Sequence, residues 1–172
     1  LCVLEGASVE ARPALPPGEF RETQASWTVE TPALTLAVNR EDFGMTVSTA
    51  DGAVWAFEPC DERDIRAGMK GTGFLSAGRR TAAPFRTGYS TGMLITLADF
   101  PDREGLEIVL GLHVEGDTLR CSVTAPGDTY DFDQMAWPKP LVAGTAPEDV
   151  SVIPLMQGML LPGDYPQAIT RE

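Results

Sequence analysis

Residues 33–57 read ALTLAVNREDFGMTVSTADGAVWAF, two alternating segments and a turn that feeds a third. Leu34, Leu36 and Val38 face one way and Thr35 and Asn39 the other, and Phe43, Met45 and Val47 repeat the pattern against Thr46 and Ser48. Asp51 and Gly52 suit the positive φ values of a two-residue hairpin turn. The following Ala53-Val54-Trp55-Ala56-Phe57 is rich in strand formers and returns beside the strand before it. The stretch predicts an antiparallel meander.

The same period of two recurs along the chain. Trp27 and Val29 share a face in residues 26–30, and Met93, Ile95 and Leu97 share one in residues 90–100, closed by Pro101. In residues 105–116, Ile108, Leu110, Leu112 and Val114 oppose Glu107, His113 and Glu115, the pattern of a sheet with one dry side. Glu115-Gly116-Asp117 turns that strand back, and residues 118–125 return with Leu119, Cys121 and Val123 inward. Residues 71–77 form a weaker candidate, and residues 130–137 and 150–161 complete the set. About ten strands joined by Gly, Pro and Asp turns imply an all-β antiparallel sandwich with very little helix. The one helix candidate is residues 59–69, where Asp61 can cap a turn and Gly68 and Gly71 stop it.

At 172 residues the chain is large enough for one packed core. Residues 1–22, with Pro13, Pro16, Pro17 and Gly18, read as an irregular lead-in. Residues 23–165 then form the sandwich, and 166–172 a linker. No segment reaches membrane-spanning length without a charge, so no membrane partner is expected. A net charge of −12 argues against nucleic acid, which clustered Lys and Arg normally bind. Arg63, Arg66, Lys70, Arg79, Arg80 and Arg86 do cluster, and read as a solvated loop region or as a contact for an anion or acidic sugar.

Chemical candidates are sparse. Cys2, Cys60 and Cys121 show neither a disulfide framework nor metal-ligand spacing, and Cys121 reads as a small buried hydrophobe. If the chain is secreted, Cys2 and Cys60 are the pair to consider, and the pattern leaves the compartment open. Asp128, Asp131 and Asp133 are the densest acidic cluster, to be read as a solvated edge, an acid/base pair or a weak Ca²⁺ site. His113, the only histidine, lies on a polar strand face and reads as a surface residue. Trp137, Tyr130 and Gln157 are the candidates for carbohydrate or domain-interface contacts, since aromatic faces and amides bind sugars, although Trp137 also suits core packing. Neither a cofactor nor a resident metal is expected.

The run Leu34-x-Leu36-x-Val38, Met45-x-Val47, Asp51-Gly52-x-Val54-Trp55 resembles the opening strands of galactose-mutarotase-like β-sandwiches in large bacterial glycoside hydrolases. Residues 136–141 (AWPKPL) and 152–162 (VIPLMQGMLLP) look like the stretch that leads from such a sandwich toward a catalytic barrel. Endo-α-N-acetylgalactosaminidase-like enzymes are the nearest such family, and the resemblance spans residues 26–162. It implies a supersandwich, a carbohydrate partner and catalytic carboxylates in a downstream domain of the same chain, with no catalytic residue among these 172. The alternatives are a freestanding carbohydrate-binding module, with Tyr89 and Tyr165 added to its aromatic set, and a structural or adhesive surface domain.

Overall fold

The computed structural model describes residues 18–61, 64–67, 70–72, 74–101, 103–126, 134–142, 150–153 and 159–162. The first sheet is a five-stranded meander of β1 (Glu19–Glu22), β2 (Ser26–Glu30), β3 (Leu34–Asn39), β4 (Met45–Thr49) and β5 (Val54–Ala56), in that order. Next come two short strands, β6 (Ile65–Ala67) and β7 (Lys70–Thr72), and a 3-10 turn at Phe74–Ser76. The second sheet follows, with β8 (Arg79–Arg86), β9 (Thr91–Ala98), β10 (Ile108–Glu115) and β11 (Thr118–Thr124) ordered β11-β10-β9-β8. β12 (Gln134–Met135) pairs with β6, and β13 (Val150–Ile153) forms a hairpin with β14 (Met159–Pro162). Among the described strands every pairing is antiparallel, and all but that of β12 with β6 join strands consecutive in the chain. Among the described residues no helix is long and apolar enough to cross a membrane.

Alternation explains the layers. Trp27, Val29, Leu34, Leu36, Val38, Met45 and Val47 of the first sheet are buried, as are Met93, Ile95, Leu97, Ile108, Leu110, Leu112 and Val114 of the second. The two sets form one continuous cluster, so a single apolar interior lies between the sheets. The chain is an all-β antiparallel sandwich.

Four local readings are corrected. Among the described residues of 59–69 there is no helix; Ile65–Ala67 is a strand, whose backbone pairs with β7 on one side and β12 on the other. The basic stretch is not all loop, since Arg79, Arg80 and Arg86 lie on β8, an eight-residue strand at the sheet edge. Residues 150–161 are not one strand but the hairpin β13–β14. Asp51 and Gly52 sit in a three-residue loop: the Gly52 N–H donates to the Thr49 carbonyl, and the Thr49 N–H to the carbonyl of Ala53. Gly52 alone takes the left-handed conformation there, at φ 92°.

One end of the interior is closed by arginines. Phe43 leaves the strand pattern for the β3–β4 connection at φ 57°, yet stays buried and stacks on Trp27 with centroids 6.3 Å apart. Arg40 lies 5.0 Å over the Trp27 ring and Arg80 5.3 Å over the Phe43 ring. The Arg80 guanidinium donates to the carbonyls of Arg40 at 3.2 Å, Glu41 at 3.0 Å and Ala77 at 3.3 Å, and also to that of Leu75. Four of its five donors are spent on backbone, which ties β8 to the β3–β4 connection and leaves Arg80 a poor anion ligand.

Candidate interface at the open edge of the sandwich

Among the described residues the opposite edge of the sandwich stays open. Trp55 pairs with Val47 across β4–β5, so its side chain faces the interior, yet it is 45% exposed. On the second sheet, Leu119, Cys121 and Val123 are inward by register, opposite Val114, Leu112 and Leu110, but only half-buried because β11 is the last strand. Between these edges lies an apolar groove with a volume of about 510 Å³. Leu34, Val47, Trp55 and Phe57 line one wall, Leu119 and Cys121 the other, and Pro138 and Leu141 lie across it. Thr49 and Asp117 are its polar members. Burial pushes the Cys121 thiol up to about 11, so it sits there as a neutral, weakly polar group.

Residues 137–142 form the lip of this mouth. Leu141 bridges Phe57, the Val142 N–H donates to the Ala56 carbonyl at 2.8 Å, and the Glu58 N–H donates to the Pro140 carbonyl at 2.9 Å. The segment thereby runs beside the C-terminal end of β5 and the two residues that follow it. Leu141 and Val142 remain 51% and 53% exposed, beside Val54 at 62%, which makes the lip an apolar surface patch.

A buried ion pair anchors the lip. The Lys139 ammonium donates to Asp64 Oδ1 at 2.6 Å and to Asp61 Oδ2 at 3.3 Å. Asp64's side chain is 2% exposed and that of Lys139 13%. The hydrogen bond to Asp64 raises the lysine above its ordinary value, so it stays cationic. Asp64 Oδ2 accepts the Asp61 N–H, and the Asp64 carbonyl accepts that of Ala136 at 2.7 Å. Cys60, adjacent and buried, is pushed up to about 12 by burial and then by the charge of Asp64. It is a free thiol.

Of the residues singled out from the sequence, Trp137 is buried at 9% exposure in the core cluster, its peptide bond to Pro138 cis, just behind the lip. Tyr130, Gln157, Tyr165 and the acidic set Asp128, Asp131 and Asp133 lie outside the described residues. His113 is on the outer face of the second sheet, its Nε2 3.3 Å from Ser122 Oγ and its ring edge-on to Phe85. Arg79 pairs with Asp99 at 3.1 Å on the surface. The structure adds Trp55, Leu119, Leu141 and the Lys139–Asp64 pair, none of them read from the sequence as parts of a site.

Comparison with known proteins gives a fold relationship. No family model matches the sequence, and no curated protein does. Solved structures of the α-N-acetylgalactosaminidase NagBb from Bifidobacterium bifidum do match in fold. Its GalNAc complex superposes with a TM-score of 0.70 at 20% identity over 83% of this chain. The complex with Gal-NHAc-DNJ gives 0.65 at 20% identity over 78%, and a quadruple mutant 0.66 at 20% identity over 83%. The chain spans 22–23% of the length of those structures, so what it shares is the architecture of one part of a glycosidase.

Proposed function

We propose that this chain is a non-catalytic β-sandwich of a carbohydrate-active enzyme, most closely a glycosidase, that docks on the catalytic domain of the same polypeptide and borders its substrate cleft. The observation that carries the reading is the open mouth between β5 and β11. Its walls are aliphatic and aromatic with two polar members, Thr49 and Asp117. A sugar site needs several convergent donors and acceptors for the hydroxyls, whereas such a surface suits a protein partner. The fold shared with part of an α-N-acetylgalactosaminidase supports the same reading. On it the galactose-mutarotase-like relationship is one of architecture, and the reacting carboxylates belong to the partner domain.

The test is an assay of these 172 residues against aryl glycosides, beside the natural polypeptide that contains them. The reading expects turnover from the longer protein alone; comparable turnover from the fragment ends it. A second reading, a freestanding carbohydrate-binding module, draws on the exposed rings of Trp55 and Tyr89, 45% and 60% exposed. Saturable glycan binding by the isolated domain, lost in Trp55→Ala, would favour it.

A further inference from the structure

We infer that the outer edge of β11 is a strand-pairing site, which accepts an extended segment of the docking domain whose alternate apolar side chains fill the mouth. This rests on the docking role proposed above.

The edges of the sandwich are unequally defended. β1 exposes Glu19, Arg21 and Glu22. β8 carries Arg79, Arg80 and Arg86 with Pro84 in its middle, which cannot donate to a ladder. β5 is three residues long, and the lip already pairs with its last residue, Ala56, and with Phe57 and Glu58 beyond it. β11 differs from all three. It is seven residues long, holds no proline, and carries one charge, Arg120, which is paired with Glu115 at 3.7 Å. Among the described residues no strand pairs with its outer side. Alternate N–H and C=O groups along that side therefore point away from β10, toward the mouth's open side.

Geometry couples this edge to the groove. A strand added beside β11 continues the second sheet, so every other side chain points inward at the level of Leu119 and Cys121, opposite Trp55. One segment thus satisfies the backbone groups that have no strand partner among the described residues and covers the exposed apolar wall. Its inward residues must be uncharged and apolar, and its outward ones polar.

Charge and length choose the source. A second copy brings a further −12, a repulsion that an exposed strand edge with few charges does little to offset. A segment of the same polypeptide meets the edge at the high effective concentration of a tether. The matched glycosidase structures are more than four times as long as the part this chain covers, which supplies such a segment.

Hydrogen exchange read by mass spectrometry tests this on the natural polypeptide and on the 172-residue chain. Slowing of the alternate β11 amides by on the order of 100-fold in the longer protein supports pairing. Cys121→Lys, or Trp55→Lys at a position already half exposed, should abolish that slowing while β9 and β10 stay protected. If Trp55 is shielded in the longer protein but the β11 amides still exchange freely, strand pairing is overturned and docking stands. Slow β11 exchange already present in the short chain overturns the inference, and its loss on dilution would identify a second copy as the occupant. If the natural polypeptide carries no further domain, the docking reading itself fails, and that is seen before any exchange is measured.

Discussion

Severing the Lys139–Asp64 pair should destabilise the fold more than any surface substitution. Asp64 is held at 2% side-chain exposure, where an unpaired carboxylate has neither water nor counter-charge, and its cation approaches to 2.6 Å. Breaking a buried pair from one side costs about 3–5 kcal/mol, a large share of the roughly 5–15 kcal/mol that holds a domain together. Lys139→Met leaves the anion stranded and belongs at the upper end. Asp64→Asn keeps the volume and an acceptor for the Asp61 N–H, and leaves the ammonium with Asp61, so it belongs near 3 kcal/mol. With an m-value of about 2 kcal/mol/M, the urea midpoint falls by about 2.5 M for Lys139→Met and about 1.5 M for Asp64→Asn. The double variant should recover about 1–2 kcal/mol relative to the sum, since neither residue is then left without its partner. Single losses below about 0.5 kcal/mol, or additivity within that margin, would refute the idea that this pair anchors the lip.

Alkali should loosen the fold through the same region. The Cys60 thiol is raised, so its contribution is complete below its ordinary value near 8.5 and is lost as pH climbs toward 12; Lys139, also raised, loses its own contribution only above about 10.4. Urea midpoints should be level from about pH 7 to 8.5 and fall above it; because the Cys121 thiol, raised to about 11, titrates over the same range, Cys60→Ala should lessen the early fall and Cys60→Ala with Cys121→Ala should flatten it. Gly92→Ala should cost about 3 kcal/mol or prevent folding, because a Cβ there would lie 1.8 Å from the Leu112 carbonyl oxygen, and backbone cannot swing aside. Thermal melts read this, and a loss below about 1 kcal/mol would contradict the β9–β10 packing. Trp55→Ala should cost the isolated domain less than about 1 kcal/mol, since the side chain is already half in water. A loss near 3 kcal/mol would mean the mouth is closed in solution.

Strands with a strong contrast between faces were legible in the sequence. β10 sets Ile108, Leu110, Leu112 and Val114 against Val109, His113 and Glu115, and all four of the former are buried. β8 was not legible, because its inward positions are Arg80, Ala82, Pro84 and Arg86, and no apolar series marks a face. The sheet context imposes the strand, through pairing with the strongly alternating β9. Residues 59–69 misled in the opposite sense: Asp61 as a cap and stopping glycines suit a helix, but Asp61 and Asp64 both accept from Lys139, 78 and 75 residues away. Such a distant pair leaves no local trace. The mouth was invisible for a related reason. Leu119, Cys121 and Val123 alternate as buried residues do, and alternation tells which way a side chain points, not whether a facing layer reaches that far.

The closure of two layers over one interior is tested most directly by cysteine scanning along β10 in a background with Cys2, Cys60 and Cys121 replaced. Thiol labelling should be fast at 109, 113 and 115 and slow at 108, 110, 112 and 114, with a period of two. Uniform labelling, a period near three and a half, or fast labelling at 110 and 112 would contradict the sandwich.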